Sequence, residues 1–204
     1  MALKIYGIPR SRAFRTLWMA KELGLDYENV AIDFANEGTR APEYLRINPN
    51  GHVPTIDDDG FILWESNVAV RYLAAKHSHG TLCPADLRAR ADSERWMDWQ
   101  QTALATPMGV AFRALLRDPR EMMPEEQLHA AVKRAGELWR MLDARLADRA
   151  YVGGDALTMG DVALGNAIHR WYKLPVERPE LPRVRRWYDR LCERPAYRQH
   201  IAAL

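Results

Sequence analysis

Cysteine is scarce: the 204 residues contain two, Cys83 and Cys192. They lie far apart, form no CxxC and have no paired metal-ligand spacing, so neither a disulfide framework nor a metal site is expected. A reducing cytoplasm is the simplest home for such a chain. No apolar run approaches the ~18–20 residues that a membrane span needs. The opening MALKIYGIPRSR has no basic stretch leading into a long apolar one, so no signal peptide is expected. Charge of one sign is missing too. The 29 basic residues, 24 of them Arg, face 27 acidic ones and leave +2. That balance implies neither a nucleic-acid nor a membrane partner. HExxH, P-loop and GxSxG patterns do not occur, and no repeat or low-complexity tract is visible.

What is present suits a folded protein. Hydrophobic residues make up 48% and charged residues 27%, which excludes disorder. Seven Trp, eight Tyr and four Phe supply the bulk of a core. The first third changes period every few residues. Leu3 to Tyr6 reads as a strand. Arg12 to Leu23 reads as a helix stopped by Gly24. Tyr27 to Ile32 alternates as a second strand, and Pro42 to Ile47 suggests a short helix. Val53 to Ile56 and Phe61 to Trp64 flank Asp57-Asp58-Asp59-Gly60 and read as a hairpin. Ser66 is placed to cap a helix running to about His77.

The remainder reads as helix. Trp96, Trp99, Ala103, Met108, Phe112 and Leu115 fall at three- and four-residue spacing, with Pro107 expected to kink that helix. Three more amphipathic stretches follow, and no strand signal appears after Trp64. The expected organisation is an α/β domain over residues 1–78 in the order βαβ-α-ββα, a linker over 79–87, and an all-α domain over 88–204.

Three segments carry chemistry. Val53-Pro54 opens a strand, although proline donates no ladder hydrogen bond. If this bond is cis, the N–H and C=O of Val53 face outward and can hold an extended peptide by strand-like pairing. If it is trans, the segment is an ordinary turn. Glu65-Ser66 opens a helix whose free N–H groups suit a carboxylate, with Glu65 placed to accept from an amino group. Ser66 as a plain cap is the simpler reading. Ser11, just before the first helix, can donate to a thiolate or merely cap. A free thiol with pKa ~8.5 is about 3% ionised at pH 7, and lowering it to ~6.5 makes about three quarters thiolate. That shift is ~2.7 kcal/mol. One charge-assisted hydrogen bond and a helix end are about sufficient.

Together, in this order, these segments resemble the soluble glutathione transferases, of the bacterial serine type. Asn48-Pro49-Asn50-Gly51-His52-Val53-Pro54 is similar to the family's N-P-x-G-x-V-P element. Trp64-Glu65-Ser66 through Tyr72-Leu73 looks like its strand-end E-S followed by helix and Y-L. Leu157-Thr158-Met159-Gly160-Asp161 resembles its second-domain T-x-x-D box.

The resemblance implies a thioredoxin-like first domain with cis Pro54 and a helical second domain. It implies that Val53 pairs with the cysteinyl part of glutathione, and that Glu65 and Ser66 hold the γ-glutamyl end. His52, with Asn50 beside it, is placed to reach the glycyl carboxylate. The activating position departs from a clean serine pattern: counting from Gly24 points to Ser11, counting from Tyr6 points to Ile8. Ser11 is the expected donor, with the Arg12 side chain or N–H as alternative. Met108, Phe112 and Arg113, with Ile8, are the expected electrophile pocket, although Met108 and Phe112 also fit an interhelical core. Thr158 and Asp161 have capping-box spacing and are expected to be structural.

The activity implied is transfer of the glutathionyl group to small hydrophobic electrophiles in detoxification. Glutathione would be co-substrate, with no metal, in a cytoplasmic homodimer. Two alternatives remain at this stage. The same site supports a glutathione-dependent isomerase, dehalogenase or peroxidase, and the fold also serves non-catalytic binding or scaffold modules. The arginines from Arg183 to Arg198 read as a solvated helix face rather than an RNA-binding one, because Asp189 and Glu193 interrupt them.

Overall fold

Leu3 and Ile5 point to one face of a short strand, Lys4 and Tyr6 to the other, and the core takes the first pair. This strand, β1 (Leu3–Tyr6), is followed by α1 (Phe14–Glu22), β2 (Tyr27–Val30), α2 (Pro42–Ile47), β3 (Thr55–Asp58), β4 (Phe61–Trp64) and α3 (Ser66–His77). The computed structural model describes residues 3–33, 38–117 and 123–202. The sheet order is β2-β1-β3-β4. β1 runs parallel to β2 and antiparallel to β3, and β3 antiparallel to β4. This is the thioredoxin-like arrangement expected from the βαβ-α-ββα order. The β3–β4 turn is Asp59-Gly60 with φ of 56° and 87°, the double positive φ that a two-residue hairpin requires.

α1 ends where Gly24 stops it: Gly24 N–H donates to the Lys21 carbonyl and Leu25 N–H to the Ala20 carbonyl, closing the last turn. β2 ends at Val30 rather than Ile32. The shorter strand follows from its partner, because β1 supplies register positions only from Leu3 to Tyr6.

By contact the chain divides into two units, residues 1–83 with 194–204, and residues 84–193. The second contains α4 (Leu87–Trp99), α5 (Ala105–Phe112), α6 (Glu125–Arg145), α7 (Met159–Lys173) and α8 (Pro182–Glu193). The helical path changes ahead of Pro107. Residues Gln100–Leu104 form a π turn, and Ala105 N–H reaches back to the Gln100 carbonyl. Widening the helix there accommodates the donor that Pro107 lacks. Trp139, Trp171 and Trp187 are fully buried in this unit.

The final helix, α9 (Pro195–Ile201), packs on α1 rather than joining the helical unit. Tyr197 meets Trp18 at 4.6 Å and Phe14 at 5.8 Å between ring centroids. Glu22 locks the contact, accepting from Trp18 Nε1 and from the Arg194 guanidinium. Nothing local in Pro195–Ile201 specifies this docking; the aromatic face of α1 does.

His169 on α7 is a buried titratable group with a predictable consequence. Its Nδ1 lies 2.8 Å from the Tyr188 hydroxyl, and its Nε2 has no partner among the described residues. Burial, with Lys173 and Arg170 nearby, pushes its pKa down to about 4. Above pH 6.5 the ring is neutral in both folded and unfolded chains. Between 6.5 and 4 the unfolded chain takes a proton that the folded ring refuses, so stability falls as pH falls. A loss of roughly 2–3 kcal/mol across that window is expected. Urea midpoints measured from pH 7.5 to 4.5 test this. The fall should flatten in His169→Gln, and an equal slope in both proteins would discard the assignment.

Candidate active site

The loop between α2 and β3 is set by a buried polar network. Asn48 Nδ2 donates to the His52 carbonyl at 2.7 Å and to Thr55 Oγ1 at 3.1 Å. Tyr44 hydroxyl donates to the same carbonyl at 2.7 Å and lies 2.9 Å from Thr55 Oγ1. Asn48 Oδ1 accepts from the backbone and side-chain nitrogens of Asn50. Two donors on one carbonyl leave the loop little freedom. Gly51, at φ 60°, lies so close to Arg40 that a Cβ would meet Nη1 at 2.8 Å.

The loop ends in a cis Val53–Pro54 bond, as the resemblance implies. The N–H and C=O of Val53 have no hydrogen-bond partner among the described residues. Behind Val53 the first strand must pass closely. Gly7 does this: a Cβ there would stand 2.6 Å from Ala13 Cβ and 3.3 Å from Val53 Cβ, which only glycine avoids.

Across from Val53, β4 hands over to α3 at Glu65. Its φ of 74° and ψ of 113° are unusual for a residue with a side chain, a conformation costing about 1–3 kcal/mol and concentrated at functional sites. Ser66 is the first residue of α3, not its cap; the cap position is held by Glu65, whose side chain makes no capping bond. Ser66 Oγ accepts from Arg15 Nη1 at 2.9 Å. The cap reading fails because the helix begins one residue earlier than a Ser66 cap requires, with Glu65 in the cap position.

These parts line a shallow cleft wholly within the first unit. Val53 and Pro54 form one wall, with Asn50 and His52 above them. Trp64, Glu65 and Ser66 form the other wall, and Arg12 reaches in from the start of α1. Asn48 also lines it. Seven of the residues expected from sequence therefore meet: Arg12, Asn50, His52, Val53, Pro54, Glu65 and Ser66.

Ser11 is not among the lining residues. Its hydroxyl donates to the Ile8 carbonyl at 2.6 Å and accepts from Ala13 N–H at 3.1 Å. Its one proton is thus spent inside the turn that starts α1. Ile8 belongs to the same turn and is absent from the lining. Arg12, by contrast, is exposed and its side chain makes no ion pair or hydrogen bond with a described residue.

The expected electrophile residues lie in the helical unit. Met108 is buried at 5% exposure. Phe112 is half-buried, with the Arg170 guanidinium 4.0 Å over its ring, and Arg113 is exposed. Thr158 and Asp161 are structural in this setting. Asp161 accepts from Thr158 N–H and Oγ1 and, on its other oxygen, from Val152 N–H and Trp187 Nε1.

Sequence reasoning missed Asn48, Trp64 and Arg15. Trp64 carried a signal, an aromatic at the end of a strand beside Glu65-Ser66. Arg15 carried a weaker one, a charge inside the apolar run Phe14, Leu17, Trp18.

The comparisons with known proteins agree with this geometry. Residues 1–75 match the family model for the glutathione S-transferase N-terminal domain, and residues 125–190 that for the C-terminal domain. Glutathione S-transferase GstB of Escherichia coli is 34% identical over 189 residues, covering 92% of this chain and 91% of its own. Glutathione S-transferase 3 of Zea mays is 33% identical, covering 99% and 94%. Among solved structures, a theta class glutathione S-transferase from Xanthomonas axonopodis pv. citri with glutathione bound superposes with a TM-score of 0.94. It is 39% identical and covers 100% of this chain and 98% of its own. With both domain models matched, relatives above 30% identity along nearly all of the chain and the cleft formed by the expected segments, the protein belongs to the glutathione S-transferase family.

Proposed function

We propose that the protein is a glutathione transferase acting in the cytoplasm, that it binds glutathione in the first-unit cleft and presents it as thiolate to small apolar electrophiles. The observation that carries this is the pair of unspent backbone groups on Val53, a residue that lines the cleft together with Glu65 and Arg12. An extended peptide lying there pairs with Val53 as a strand would. The γ-glutamyl carboxylate meets Ser66 and the first N–H groups of α3, where the helix field favours an anion. The ammonium meets Glu65. His52 and Asn50, with Arg40 beside Gly51, receive the glycyl carboxylate. The sulfur then lies towards Arg12.

An Arg12 donor is preferred to Ser11, because the Ser11 proton is already committed. A guanidinium supplies a charge-assisted hydrogen bond worth about 1.5–3 kcal/mol, close to the ~2.7 kcal/mol needed to bring a thiol from 8.5 to 6.5. Rate enhancement rests on that thiolate and on proximity. Phe112, half-buried, and the exposed Arg113 are the residues of the expected electrophile pocket that a small molecule can reach within the helical unit, whereas Met108 is buried there.

A homodimer is proposed as well. Phe61, Trp64 and Val68 on β4 and α3 are 51%, 40% and 41% exposed, more apolar surface than one strand and one helix turn usually leave in water. Sedimentation at micromolar concentration should give twice the 23.5 kDa chain mass. Function is tested by titrating glutathione calorimetrically and following its loss with an activated aryl chloride. Binding together with stoichiometric loss of thiol supports a transferase. Chloride release without loss of thiol indicates a dehalogenase, and binding without turnover a non-catalytic module. No binding at all overturns the reading.

A further inference from the structure

Arg15 is a buried charge that the mechanism above does not use. It sits on α1 at 8% exposure, and its Nη1 donates 2.9 Å to the oxygen of Ser66, itself 2% exposed. A serine hydroxyl has one proton and two lone pairs. Arg15 occupies a lone pair, and no described group accepts the proton. The proton is therefore left to point at whatever lies over the start of α3. A hydroxyl held this way has its proton available to donate to a ligand.

We infer that Arg15 is a positioning residue which, through Ser66, makes this end of the cleft selective for a carboxylate. This rests on the glutathione-binding reading above and names the group that Ser66 takes. Three effects act together. The guanidinium fixes the hydroxyl as donor. It polarises that O–H, since a charge-assisted bond is roughly twice as strong as a neutral one. It also places a guanidinium one side chain behind the ligand, in a buried position. An uncharged group at the same place gains little from any of these. The γ-glutamyl α-carboxylate is the matching part of the tripeptide; its amine is met by Glu65 and is not affected.

The test compares glutathione with 4-aminobutyryl-cysteinylglycine, which keeps the amine, thiol and glycyl end and lacks only that carboxylate. In Arg15→Met the dissociation constant for glutathione should rise about tenfold, a change of ~1.4 kcal/mol. The analogue should change less than twofold. The pH profile of the bound thiol should not move, because the sulfur lies towards Arg12. Arg15→Lys keeps the charge and should recover most of the glutathione affinity, and it carries the comparison if Arg15→Met does not fold. Equal weakening of both peptides would reduce Arg15 to a strut between α1 and α3 and overturn the inference. Wild-type protein binding neither peptide would instead defeat the glutathione reading itself.

Discussion

Asp161→Ala is expected to lower the protein's stability by roughly 3–5 kcal/mol. The carboxylate is fully buried and takes four donors. They come from Val152 before α7, from Thr158 at its cap, and from Trp187 on α8. Burial pushes the carboxyl pKa up, while those donors oppose the rise. The network extends further. Gly160 N–H donates to Ser93 Oγ, Ser93 donates to Thr158 Oγ1, and Thr158 donates to Asp161. Such a chain polarises along its length. Alanine leaves the Val152 and Thr158 amides and the Trp187 indole unpaired and dry. Against a typical total of about 5–15 kcal/mol, that is a large fraction of the margin. Asp161→Asn should cost less, since one oxygen still accepts. Denaturant midpoints for both variants are the measurement, and a loss below about 1 kcal/mol for alanine would show the network to be incidental.

Arg12→Ala should lower kcat/KM about 10- to 100-fold, the span of one lost charge-assisted bond. The pKa of bound glutathione thiol should rise by about 1–2 units. Ser11→Ala should leave that pKa in place and change activity by no more than about threefold. Its cost should appear as stability instead, about 1 kcal/mol from the loosened turn at Ile8 and Ala13. Thiolate absorbance titrated in each variant separates the two residues. The reverse pattern, with Ser11→Ala raising the thiol pKa and Arg12→Ala silent, would return the role to Ser11.

The contrast between these neighbouring residues shows where reading a sequence stops. Both stand at the start of α1, and residue type alone favours a hydroxyl as thiol donor. The choice turns on the Ile8 carbonyl, which captures the Ser11 proton once the turn has formed. Ser66 is a similar case. Its place at a helix start suggests a cap, yet Glu65 holds the cap position, and Arg15, fifty-one positions away in the chain, donates to the Ser66 oxygen. The Asn48–Tyr44–Thr55 network and the docking of α9 on α1 are of the same kind.

Strand and helix order, the hairpin turn, the glycine stop after α1 and the three family segments could all be read in advance. Each is written in spacing and turn chemistry within a few residues, and local sterics act before the chain has collapsed. Which hydroxyl stays free, which buried charge stands behind the ligand and which helix the last residues join emerged only from the folded chain. A hydrogen bond or a ring contact goes to whichever partner packing brings within about 3–5 Å, and that partner can lie anywhere along the sequence.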